Sequence, residues 1–415
     1  MYALSNSFLP NVIKKARSFY TAGLWSLRTR LLYHRPARLS GLLPDVSCDH
    51  AVATTSFIEL LYSFIAFYLS KRKKRRIKWC KYYMIYTEWD PLKEIIVGRV
   101  YDPADIAHIE DTEFRNGLQR IFEESEEDFY DLSKLFKSYG VTVHRPKCEY
   151  RGDFRYPAVC PRDMHLVYGD QVINTIGGDP NRYYEKEHYD DIVLNLGRKY
   201  SAMPRPTLGG FYKPYIGNEG IPLYHAANIL KCGDALLYTE PYNDNTYPLT
   251  RQFGRGTHAG LEWLQERVDA RWIGIHESGH ADGKIALIKP GLLMCWLPDM
   301  IPDALKDWDY IQVPKQNVPE QFWQSKKQPM MQKNVKQWLG SWIGHVDETI
   351  FDVNVVSVNP ELVITNGYDK DVAAQLKRYG VEMVPFNFRH KFFWDGGLHC
   401  VTLDLTREGT CETYV

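Results

Sequence analysis

Three short runs in this 415-residue chain carry side chains suited to nucleophilic and proton-transfer chemistry. The first is Asp395-Gly-Gly-Leu-His-Cys400, where paired glycines permit a tight turn and a close backbone approach, exposing a thiol and offering N–H groups. An imidazolium next to Cys400 would lower the thiol pKa. Taken alone, the run reads equally well as a glycine-led turn into the alternating strand Val401-Thr-Leu-Asp-Leu405. The second run, Glu277-Ser-Gly-His280-Ala-Asp282-Gly283, stands just before a strong apolar strand. On an extended segment His280 and Asp282 project to one face, so that one could shuttle a proton while the other holds a cation. The bland alternative is a polar loop. In the third, Cys160-Pro-Arg-Asp163, a carboxylate follows a proline-fixed turn and could equally be a turn residue. Together the runs offer a thiol, a base and two carboxylates. That set suits a planar guanidinium, which two carboxylates can hold in its plane while its central carbon stays open to a thiolate.

The elements that must position these residues begin at Met84. Beyond it, short β-branched runs alternate with helical stretches: Glu94–Gly98, a helix over Phe114–Tyr139, Val141–His144, His165–Tyr168, Gln171–Asn174, and Ala235–Tyr238. The pattern continues with a helix around Gly260–Leu264, the apolar Lys284–Met294, Asn354–Val358, Leu362–Thr365, a helix over Asp369–Tyr379, and Val401–Leu405. The order predicts a mixed α/β protein of about five strand-strand-helix-strand units. No low-complexity linker divides 84–415, which reads as one catalytic domain. Eight cysteines include no C-x-x-C pair and no zinc-ligand spacing with histidine, so neither a disulfide scaffold nor a metal site is expected.

Residues 1–83 differ in character. They hold 15 Lys/Arg against 3 Asp/Glu, leaving 36 against 48 behind them, so a formal net charge of zero conceals a basic leader and an acidic body. The basic patch that would suggest nucleic acid is confined to the leader, and no nucleic-acid partner is expected. Residues 1–44 resemble a mitochondrial transit peptide in composition. Ala51–Ser70 has about the length of a membrane span and is followed by Lys71-Arg-Lys-Lys-Arg-Arg76, although Glu59 argues against a span. A cleaved organellar leader, a membrane anchor through 51–70, and upstream sequence with the start at Met84 are the competing readings. The last would leave a cytoplasmic protein.

Several further runs resemble the amidinotransferase family: Glu88-Trp-Asp-Pro-Leu-Lys-Glu-Ile-Ile-Val-Gly-Arg99, Pro161-Arg-Asp163, Pro204-Arg-Pro-Thr207 and Gly260-Leu-Glu-Trp263. The most specific match joins His280-Ala-Asp282 and Pro290-Gly-Leu292 with Gly396-Gly-Leu-His-Cys400, Asp404 and Gly409-Thr410. The resemblance implies a five-bladed pseudosymmetric α/β-propeller with its active site at the centre. It makes Cys400 the nucleophile and His280 the general acid/base, with Asp163 and Asp282 holding the donor guanidinium. It also implies an amidino-cysteine intermediate, alternating guanidino-donor and amine-acceptor substrates, and no metal or organic cofactor. A homodimer is compatible with it.

Two departures stand out. The family's Phe-Asp-Ala-Ala-Asp segment, whose last aspartate is catalytic, appears as Tyr224-His225-Ala226-Ala227-Asn228, so Asn228 is expected to orient His280 or to accept from the guanidinium. The family's arginine after the Pro-Gly-Leu strand has no counterpart, since Pro298-Asp-Met-Ile301 falls there. A rival histidine lies in Gly344-His345-Val-Asp347-Glu348, which resembles a run of the peptidyl-arginine deiminases. It ranks behind His280, and His345, Asp347 and Glu348 are expected to contact the acceptor. The alternatives to amidino transfer are a guanidino hydrolase or deiminase on the same scaffold and a non-catalytic homologue that binds guanidino ligands.

Overall fold

Among the described residues fifteen strands form five three-stranded sheets, and every sheet has the same topology. In the computed structural model the described residues are 84–150, 156–178, 182–205, 221–241, 256–314, 320–331, 333–334 and 352–415, and all fall within one compact unit. The leader 1–83, with the segment 51–70, lies outside them, as do His345, Asp347 and Glu348. No helix among the described residues is long and apolar enough to cross a membrane.

In each sheet an antiparallel pair is extended by a third strand parallel to its middle member. The sheets are β3 (His165–Tyr168), β4 (Gln171–Asn174) and β5 (Lys199–Ala202); β6 (Ile229–Cys232), β7 (Ala235–Glu240) and β8 (Arg271–Ser278); β9 (Ile285–Lys289), β10 (Leu292–Cys295) and β11 (Asp309–Gln312). They continue with β12 (Val356–Asn359), β13 (Leu362–Asn366) and β14 (Glu382–Phe386). The remaining sheet unites the two ends of the unit: β15 (Thr402–Arg407) runs antiparallel to β1 (Leu92–Val97), which pairs in parallel with β2 (Thr142–His144). The last strand thereby closes a ring of five blades, the α/β-propeller the resemblance implies. A parallel step needs a crossover, and helices supply it: α1 (Thr112–Ser138) between β1 and β2, α2 (His258–Gln265) between β7 and β8, and α3 (Lys370–Arg378) between β13 and β14.

Local sequence explains these elements. The Asp111 carboxylate accepts from the Phe114 amide at the start of α1, and Asp369 accepts from Asp371 and Val372 at the start of α3. Both helices end in Tyr-Gly-Val, with Gly140 and Gly380 in the left-handed region that lets the chain reverse into the next strand. The same ending in two blades is a trace of the pseudosymmetry. Strands β3, β6, β10, β13 and β15 are buried along their whole length; β10 and β13 accordingly read as apolar runs, whereas β15 alternates and buries Asp404 and Arg407 as an ion pair.

A short turn or loop precedes the first strand of each blade. A helical turn over Pro161–Met164 leads into β3, 3-10 turns over Ala226–Asn228 and Ala281–Gly283 lead into β6 and β9, Asn354 lies just before β12, and Leu398–Val401 turns into β15. These five entries are buried, and they contain every described candidate site residue.

Below the entries lies an ionic interior. Lys231 Nζ pairs with Glu88 Oε1 at 2.8 Å and with Asp404 Oδ2 at 3.4 Å. Arg162 Nη2 pairs with Asp404 Oδ1 at 2.5 Å, and Arg407 Nε with Asp404 Oδ2 at 3.0 Å. Burial by itself would raise both acids, but Lys231 holds Glu88 well below the usual carboxylate range, and Arg162, Lys231 and Arg407 do the same for Asp404. Arg407 also donates to the carbonyls of Asp90 and Ser357, tying β15 to two neighbouring segments. Arg407→Leu should therefore cost about 3 to 5 kcal/mol of stability in a denaturant titration, and a loss below about 1 kcal/mol would contradict this assignment.

Candidate active site

Cys400 is buried, and its turn is shaped by the absence of two side chains. A Cβ on Gly396 would stand 2.9 Å from Cys400 Cβ, and one on Gly397 would stand 2.7 Å from Asn354 Oδ1. The glycines are required for this close approach. The left-handed residue that turns the chain is Asp395, at φ 50°. Arg162, from the entry to β3, donates through Nε to the carbonyls of Thr402 and His399, anchoring the turn from the neighbouring blade.

The thiol contacts two side chains. It donates to Asp282 Oδ2 at 3.3 Å, and it accepts from Asn354 Nδ2 at 3.1 Å. Asn354 Oδ1 accepts from the Cys400 amide at 3.0 Å, so one side-chain amide brackets both ends of the residue. Asn366 in turn fixes Asn354 by donating to its carbonyl at 2.8 Å.

His399 does not serve the thiol as the sequence suggested. Its ring turns inward, with Nδ1 2.9 Å from Asp282 Oδ2 and Nε2 3.2 Å from Glu88 Oε2. The expected thiol, exposed and lowered by an adjacent imidazolium, is corrected on both counts. Burial pushes the Cys400 thiol well above its ordinary value, and the carboxylates of Asp282 and Asp163 push it the same way.

His280 and Asp282 do converge on Cys400, with one acting atom from each within 4.8 Å of the other two. They arrive differently from the extended segment expected. Ala281–Gly283 is a 3-10 turn, with His280 at its head in the β conformation. His280 Nε2 lies 2.8 Å from His225 Nδ1, and its Nδ1 lies 4.0 Å from Asp163 Oδ1.

Asp163 is placed where the sequence put it, yet one of its oxygens is engaged. Arg182 Nη1 binds Asp163 Oδ2, while the same guanidinium holds Glu185 and stacks over the Tyr156 ring at 4.5 Å. Burial raises Glu185 to about 7, against the pull of Arg182.

Asn228 lies in the entry to β6 and is buried. The imidazole of His225, three residues earlier, is hydrogen-bonded to His280, a partner the sequence reading did not name. Sequence reading also passed over Asn354, Arg182, Glu88 and the inward turn of His399. Only Asn354 carried a signal, as a lone polar residue heading an apolar strand.

Burial first and the Asp282 carboxylate after it favour the neutral thiol, which gives a direct prediction. Asp282→Asn removes a negative charge at 3.3 Å and should increase the iodoacetamide alkylation rate of Cys400 near neutral pH about tenfold. Peptide mass spectrometry reads the rate, and an unchanged or slower one would contradict the assignment.

No family model matches the chain. It is 27% identical over 382 residues to the putative inosamine-phosphate amidinotransferase 2 of Streptomyces griseus, covering 80% of this chain and 98% of that protein. It is 24% identical over 381 residues to the L-arginine:L-lysine amidinotransferase of Pseudomonas savastanoi pv. phaseolicola, covering 80% and 96%. Its fold matches the solved structure of an amidinotransferase from Microseira wollei in the saxitoxin biosynthetic pathway, with a TM-score of 0.60 and 22% identity over 80% of this chain and 99% of that one. The chain is thus similar in sequence over most of its length to proteins named as amidinotransferases, and it shares the fold of a solved one.

Proposed function

We propose that the protein moves an amidino group from arginine, or a donor like it, to an amine through an amidino adduct on Cys400. The observation that carries this reading is the hydrogen bond from the Cys400 thiol to Asp282, beside His280. A neutral thiol against a carboxylate is stable until a cation arrives. A guanidinium seated on Asp282, with Asp163 Oδ1 on its other side, supplies positive charge that offsets the two carboxylates raising the thiol. Substrate binding then favours ionisation of the nucleophile, and Asn354 Nδ2 is placed to donate to the sulfur.

The steps balance. As the guanidinium binds, the thiol proton passes to His280, and the thiolate attacks the guanidino carbon, forming the S–C bond and a tetrahedral centre. The bond from that carbon to the donor's substituted nitrogen breaks as His280 gives that nitrogen a proton, and the amine leaves. Cys400 retains the amidino group. An acceptor amine then attacks the same carbon, His280 takes its proton, and the thiolate departs. Two substrates use one site in turn, which is a ping-pong scheme. The acidic body of the chain suits a cationic donor. We assign catalysis to residues 84–415, with Cys400 as nucleophile, His280 as acid/base, and Asp282 and Asp163 as the guanidinium-binding pair.

Incubation with arginine and a panel of primary amines tests the reading. Ornithine should appear together with a new guanidino compound from one of the amines, and Cys400→Ser should abolish both. Citrulline and ammonia in their place would show water resolving the adduct and would sink the transferase reading.

A further inference from the structure

The first strands of adjacent blades, β6 and β9, are each entered through a 3-10 turn headed by a histidine. His225 heads Ala226–Asn228 at φ −79° and ψ 135°, and His280 heads Ala281–Gly283 at φ −69° and ψ 123°. The pseudosymmetry thus brings two equivalent imidazoles together, with Nδ1 of His225 2.8 Å from Nε2 of His280 and both rings buried. The seat for the first ring is specific. A Cβ on Gly177 would come within 1.7 Å of His225 Nε2, so position 177 has no room for any side chain while this ring is in place.

We infer that His225 is the positioning residue for His280, and that the proton used in amidino transfer is shared by this histidine pair. This rests on the amidino-transfer reading above. A hydrogen bond between two ring nitrogens needs one donor and one acceptor. If both rings were imidazolium, two N–H groups would face each other at 2.8 Å, so the pair carries at most one positive charge. Whichever tautomer His225 takes fixes the opposite role on His280 Nε2. The other nitrogen of His280 is left directed at Asp163, on the substrate side. A carboxylate at 225 would act differently, because it would stabilise the imidazolium outright.

The charged and titratable groups around the pair come from every neighbouring element. Arg162 and Asp163 stand on the entry to β3, and His165 opens that strand with its pKa lowered to about 3 by burial. Arg182 pairs with Asp163 and is itself held by Glu185. Asp282 shares the turn of His280, and His399 and Cys400 close the far side. The cation nearest Asp163 is Arg182, so His225 is not compensating for a carboxylate that lacks a partner.

The test uses the full chain and two readouts. In steady-state amidino transfer from arginine to an amine the wild type accepts, His225→Phe should lower kcat roughly 100-fold with little change in the donor KM. His225→Asn, whose amide reaches the place of Nδ1, should restore most of that loss. His225→Asp should move the basic limb of the kcat profile to higher pH. NMR titration of the histidine ring nitrogens should show the 225 and 280 rings taking up a single proton between them in the wild type, and His280 titrating alone in His225→Asn. Wild-type kcat and pH profile in His225→Phe, or two independent protonations in the titration, would overturn the inference. A wild type that transfers no amidino group would remove the reading under Proposed function, and the titration would still decide the pair.

Discussion

Burying Glu88, Asp282 and Asp404 in one interior costs several kcal/mol for each charge unless cations come with them, and the blades bring those cations together. Arg162 comes from the entry to β3, Lys231 from β6 and Arg407 from β15. Each cation arrives from a different part of the sequence, so the network exists only when the ring is closed. His399 links Glu88 to Asp282, and Asp282 accepts from the Cys400 thiol. The electrostatic setting of the candidate nucleophile is therefore continuous with the interactions that hold the ring. Removing one cation would strand a buried acid and would also loosen the turn that Arg162 anchors.

Pseudosymmetry is the geometric half of the same arrangement. Each blade is entered just ahead of its first strand, and each entry delivers a polar side chain: Asp163, His225, His280 with Asp282, Asn354, and Cys400. The strands that follow are almost wholly buried, so they have little freedom to shift, and the residues ahead of each strand inherit that rigidity. The entry to the first strand carries different chemistry in each blade. That is how one repeated unit brings a thiol, imidazoles and carboxylates together.

Much of this was legible in the sequence because it is local. The alternation of short apolar runs with capped helices gave five units, and Cys400, His280, Asp282 and Asp163 each stood beside a glycine, a proline or a strand start. What escaped depends on contacts far apart in the chain. His225 meets His280 across 55 residues, and Asn354 meets Cys400 across 46. Nothing next to His225 marks it as anything but a polar residue before a strand. Asn354 was read as part of a strand that in fact begins at Val356. The His399 side chain was expected beside the thiol because it is adjacent in sequence, yet the turn sends it to Asp282 and Glu88 instead. A resemblance in one segment directed attention to Asn228, and the distances added His225 of the same segment as a partner of His280.

The central claim is that Cys400 carries the amidino group between two substrates, and isotopic trapping tests it most directly. Arginine labelled at the guanidino carbon is mixed with the protein without acceptor, quenched in acid, digested and mapped by mass spectrometry, with a second sample chased with an acceptor amine before quenching. The account predicts label on the peptide containing Cys400 and its transfer to the amine on the chase. Turnover of arginine with no label on that peptide, or label that the acceptor cannot remove, would contradict it.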